Sequence, residues 1–138
     1  MIKDLKKKKI NTKKVYSGKI TKNILKNYNV GILTVLINKK IFENKKFNER
    51  YNIIGDFDFF TKLSLNYSFH AINKPLAFYR SHSNNFSTLK INEYINELSF
   101  WLKNTKNLFK KKNIKVFHPW LLLKKLQIKK LISHHKGV

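Results

Sequence analysis

The chain has 138 residues with 42% hydrophobic content, enough for one domain with a real core. Eleven Phe, six Tyr and two Trp exclude a disordered basic tail, and the absence of cysteine excludes disulfides and thiol-based metal or redox chemistry. The formal charge of +23 invites a nucleic-acid partner, yet of 30 basic residues only Arg50 and Arg80 are arginine. The rest are lysines spread over the whole chain, in company with abundant Asn, Ile, Phe and Tyr, a profile that A/T-rich codons produce by themselves. Readers of phosphate and bases usually draw on the planar fork of arginine.

In chain order, residues 1–18 form a lysine-rich start with a short alternating stretch at Val15-Tyr16, read as a ragged end or an edge strand. Its beginning lacks the apolar h-region of a secretory leader. Ile20, Ile24 and Leu25 stand at helical spacing and predict a short helix over 19–28. Residues 30–37 (Val-Gly-Ile-Leu-Thr-Val-Leu-Ile) are a continuous apolar, β-branched run, the pattern of a buried strand. A helical turn is expected at 38–43, followed by a polar loop. At Asp56 the pattern turns helical, with Phe59, Phe60, Leu63 and Tyr67 on one side and Asp56 at the cap. Two short strands, 68–72 and 76–80, flank the turn at Asn73-Lys74-Pro75. The clearest helix follows, its stripe running from Ile91 through Tyr94, Ile95, Leu98, Trp101, Leu102 and Leu108 to Phe109. Residues 119–135 predict a last helix with Pro119 in its first turn. Helices alternating with strands make α/β the expected class.

Two stretches carry chemistry. Gly55-Asp56-Phe57-Asp58 puts two carboxylates at a helix start. There an Asp can simply cap the helix, or it can face a cleft and deprotonate a hydroxyl; a D-x-D pair can also hold a divalent metal. Tyr79-Arg80-Ser81-His82 puts a guanidinium and an imidazole on one side of an extended segment. Arg80 suits planar binding of a phosphate or carboxylate, and His82 suits a metal or a diphosphate oxygen. Alternatively both face solvent at a strand end. His70 reads as a structural residue, His118-Pro119 as the start of a helix, and His134-His135 as a solvated tail.

Taken together, in order and spacing, these motifs resemble the acceptor-side half of family 2 glycosyltransferases, inverting enzymes of the GT-A fold. The likeness runs from about Gly18 to Leu102. It takes in the run at 31–37, the step Phe47-Asn48-Glu49 that is similar to the family's "gFde", the Gly55-Asp56-Phe57-Asp58 motif, and a "pl-x-x-YR-x-H-x-x-N-x-S" ending over 75–87. The resemblance implies a partial GT-A-like fold, a short mixed sheet with flanking helices over 19–88, followed by a helical extension over 89–138. It implies Asp56 as the general base toward an acceptor hydroxyl, with Gly55 standing where the family often has Glu. Asp58 becomes a substitute acceptor contact. His82 helps to hold a divalent metal (Mg or Mn) and the diphosphate, with Arg80 beside it.

The donor implied is a nucleotide-sugar, and the acceptor a cell-surface glycan or glycolipid. The nucleotide-binding half with its own D-x-D motif has no counterpart in the 55 residues before Asp56. The chain is therefore expected to be a fragment, a split subunit or a truncated form, inactive alone and sharing its metal with that half. The alternative is a basic nucleic-acid-binding domain, disfavoured by dispersed lysines and by aromatics that follow core stripes. The segment 119–138 either lies on an anionic membrane, as basic helices do, or packs on the preceding helix or on a missing domain. With no apolar run near the roughly 20 residues of a spanning helix, a cytoplasmic location is expected, with a peripheral place on the inner membrane face as the variant.

Overall fold

The computed structural model describes residues 15–77 and 90–135, and among them the chain is helical. Helix α1 (Thr21–Lys26) and helix α2 (Lys39–Asn44) are short, and a 3-10 turn, Ile32–Thr34, lies between them. Helix α3 (Gly55–Ser64) carries the paired carboxylates. Helices α4 (Ile91–Lys111) and α5 (Phe117–His135) supply most of the regular structure and pack against each other, with α1 resting on both α3 and α5.

The expected α/β class, a partial GT-A-like fold with a short mixed sheet, is overturned: the described residues contain no strand. What remains of sheet pairing is one antiparallel bridge between Gly18 and Phe69, closed by reciprocal backbone bonds of 2.7 and 3.0 Å. The reason is that a strand exists only through a neighbour that accepts and donates along its whole ladder. Around 30–37 the packed neighbours are α2, α3 and the irregular segments at Tyr28, Phe47 and Phe69, and among the described residues none lays an extended backbone beside the run. The run instead turns through its 3-10 segment, lays Val30, Val35 and Ile37 on Phe59, Phe60 and Leu63, and leaves Leu36 97% exposed. Residues 68–72 keep only the Phe69 bridge. Of the expected strand at 76–80, residues 76 and 77 are unpaired in any ladder and the remainder lies outside the described residues.

Two apolar clusters meet across α3. One gathers Leu98, Trp101 and Phe109 of α4 with Leu25, Tyr51, Ile54 and Leu123. The other stacks Phe47 on Phe59, ring centroids 4.3 Å apart, beside Phe60 and Leu63. Phe47 of the "gFde"-like step is thus a core aromatic, and Asn48 closes a local turn by accepting the Arg50 N–H at 3.1 Å. The Arg50 guanidinium lies 3.9 Å over the Phe100 ring, a stacking use that a lysine would serve less well. A buried hydroxyl pair ties α1 to α3: Thr21 donates to the Ser64 carbonyl at 2.8 Å and accepts from the Ser64 hydroxyl at 2.9 Å.

The turn between α4 and α5 is set by Asn113, the one described non-glycine residue with positive φ, at 53°. The Ile114 N–H reaches back to Phe109 O at 2.9 Å and the Asn113 N–H to Lys110 O at 3.0 Å, while Ile114 packs on the Trp101 cluster. This is the Schellman arrangement, in which a left-handed residue after the cap satisfies the last carbonyls. Asn113→Gly should leave the fold intact and raise its stability by roughly 0.5 kcal/mol, whereas Asn113→Val should lower it by about 1 kcal/mol or more. Urea midpoints of the two variants would show opposite signs if the turn is read correctly.

Candidate functional site

The start of α3 is built by a residue distant in sequence. Ile54 occupies the cap position and offers no side-chain acceptor, so the preceding N–H groups need another partner. Glu97 of α4 provides it. Its Oε1 accepts the Asn52 N–H at 2.8 Å, and its Oε2 accepts those of Ile53 and Ile54, each at 3.0 Å. Asp56 therefore does not cap the helix as its position in the sequence suggests. It sits inside the first turn, where Oδ1 accepts the N–H of Phe57 at 2.7 Å, and a carboxylate there also suits the helix dipole.

That placement leaves Asp56 half-buried on the wall of a cavity of about 490 Å³. The walls come from the end of α1, the start of α3, the first half of α4 and the first half of α5. The polar lining consists of Asn27, Tyr28, Asp56, Tyr94, His118 and Lys125, set among Ile24, Phe57, Leu98 and Leu121. Tyr28 meets Phe57 edge to face, centroids 5.5 Å apart. The Tyr28 hydroxyl is buried and has no hydrogen-bond partner of good geometry, although the Asp56 carboxylate is close enough to act on it. Burial first, then the negative charge of Asp56, push the Tyr28 phenol well above its ordinary range. Tyr94 is raised for the same two reasons in the same order. Both phenols therefore stay protonated at neutral pH and remain donors. A phenol donor beside a carboxylate offers a hydroxyl-rich guest both a donor and an acceptor.

Asp58, two residues on, has a different environment. It is 2% exposed, its Oδ1 accepts the Trp101 indole N–H at 2.8 Å, and Lys62 closes on the carboxylate at 2.7 Å. Asp56 and Asp58 line different cavities and do not converge as a metal clamp. Asp58 thus ties α3 to α4 through the Trp101 indole. Arg80 and His82, with the rest of the Tyr-Arg-x-His motif, lie outside the described residues. Among the described residues no three His, Asp or Glu side chains gather as metal ligands.

Several residues of the site escaped the sequence reading. Tyr28 and Tyr94 carried no motif. His118 stands before Pro119 as the start of a helix, yet it also lines the cavity from α5. Glu97 did leave a signal: it is an acid within the apolar stripe Tyr94-Leu98-Trp101, and a carboxylate on a core face needs partners. Compared with known proteins, the chain matches no family model, no curated protein and no solved structure. No helix among the described residues is long and apolar enough to cross a membrane.

Proposed function

We propose that this chain is the acceptor-side part of an inverting sugar transferase, with Asp56 as the base. The observation that carries the reading is the position of Asp56, the residue the motif marks. It lines a cavity of about 490 Å³ together with two protonated phenols, an asparagine and an imidazole. Aromatic and aliphatic walls suit the C–H faces of a sugar, while Asn27, Tyr28, Tyr94 and Asp56 suit its hydroxyls. In the reaction, the acceptor hydroxyl gives its proton to the Asp56 carboxylate as its oxygen attacks the anomeric carbon of a nucleotide-sugar. The bond from that carbon to the diphosphate breaks, leaving an inverted glycoside and a nucleoside diphosphate. In this proposal a nucleotide-binding half outside this chain presents the donor, with Arg80, His82 and a divalent metal on the diphosphate, as the resemblance implies.

Asp56→Asn tests the role. The amide keeps the size of the side chain and its bond to the Phe57 N–H, so the fold should hold. With the nucleotide-binding half supplied in trans, transfer to a glycan or glycolipid acceptor should fall by about a hundredfold or more, measured as nucleoside diphosphate release. Transfer unchanged by Asp56→Asn would remove Asp56 as the base. Protein-observed NMR shift mapping on the chain alone gives an independent check, because acceptor glycans should perturb Tyr28 and Tyr94. If single-stranded DNA at low salt perturbs those residues and no glycan does, the nucleic-acid reading replaces this one.

A further inference from the structure

Helix α5 is apolar on two sides, and only one of them is used by the fold. Leu123 and Leu126 turn inward onto α4, and Leu122 borders the Asp56 cavity. Opposite the packed face, Phe117, Trp120, Ile128, Leu131 and Ile132 fall within about a third of the helix circumference. All five are exposed, Trp120 at 47% and Leu131 at 64%. Phe117 and Trp120 stack with centroids 6.3 Å apart, and the Lys124 ammonium lies 5.7 Å over the Trp120 ring. Lys124 falls within the same sector of the helix, so this apolar stripe carries one lysine of its own, its ammonium held over the Trp120 ring. Lys125 and Lys129 flank the stripe on one side. After Glu97 the sequence contains eleven lysines and no Asp or Glu.

We infer that this outer face of α5 is a docking surface for an anionic lipid bilayer, on which the helix lies in the plane of the headgroups. The charge selects the occupant. A second copy of this chain would bring one lysine-rich face against another, and like charges repel across such a contact. A bilayer with anionic lipid offers both the apolar depth for the five side chains and counter-charge for the lysines around them. Trp and Phe at one end of the stripe are the side chains that favour the boundary between headgroup and hydrocarbon. The inference stands apart from the transferase reading, since it uses neither Asp56 nor the cavity.

The test uses the full chain with phosphatidylcholine vesicles, with and without phosphatidylglycerol. The chain should co-sediment with the anionic vesicles and stay in solution with the neutral ones. Trp101 is already fully buried, so a blue shift of tryptophan emission on binding reports Trp120. Trp120→Ser combined with Leu131→Ser touches only exposed positions and should weaken anionic-vesicle binding by about tenfold or more. Lys124→Gln and Lys129→Gln should each weaken it by about fivefold. The proposal is overturned if the wild-type chain gives no blue shift with anionic vesicles. It is equally overturned if the Trp120 and Leu131 variant sediments like wild type, which would leave adsorption to scattered lysines. A concentration-dependent dimer that buries Trp120 without lipid would also overturn it.

Discussion

Glu97→Ala should lower the stability of the chain by about 4 kcal/mol, enough to unfold a marginal domain. Three backbone donors converge on this one side chain, and its charge strengthens each bond. Alanine would strand those N–H groups where the Ile54 backbone is buried, and water can reach only part of the loss. Glu97→Gln keeps one carbonyl acceptor in place and should cost about 2 kcal/mol. Urea unfolding followed by circular dichroism gives both numbers. A Glu97→Ala chain as stable as wild type would mean that the start of α3 is held by something else. The Glu93 carboxylate, which accepts from the Asn52 side-chain amide at 2.8 Å, sits one turn earlier and is too exposed to take over.

Trp101→Ala is expected to be about as damaging, roughly 4 kcal/mol. The indole is fully buried, tilts against Phe57 at 4.9 Å and Phe109 at 5.5 Å, and anchors Asp58 through its N–H. Its removal leaves both a cavity and a buried carboxylate with only Lys62 for company. Trp101→Phe separates the two effects: most of the volume stays, the N–H is lost, and the cost should fall to about 2 kcal/mol. Asp58→Asn should be milder still, about 1 kcal/mol, because its carbonyl oxygen can still accept from the indole while Lys62, partly exposed, turns to water. An order in which Asp58→Asn outweighs Trp101→Ala would show that the ion pair, and not the aromatic packing, holds α3 to α4.

The helices were legible because their pattern is carried by the chain's own register. The stripe from Ile91 to Phe109 predicts α4 within a few residues, and Pro119 lies two residues after the start of α5. Strands are a different matter. The run at 30–37 has β-branched composition, but composition says nothing of whether a neighbouring backbone stands ready, and here none of the described segments does. The site was half legible for a related reason. Asp56 was visible because a motif named it, and it does reach a cavity. Asp58 stood in the same motif, yet Trp101, 43 residues away, claims it. Tyr28, Tyr94 and His118 converge from the segment after α1, from α4 and from α5, a juxtaposition that spacing along the chain does not encode.

The cavity beside Asp56 draws its walls from positions as far apart as Ile24 and Lys125, and so from both ends of the described chain. Binding of any guest there would be linked to folding. A guest that fills this space at a hundred times its dissociation constant adds about 2.7 kcal/mol to the folded state, comparable to what a single interior anchor supplies. Conversely, damage at Glu97 or Trp101 would diminish recognition without touching a single group that meets the guest. A weaker binding signal from such variants would reflect how many molecules are folded, not how each folded one meets a guest.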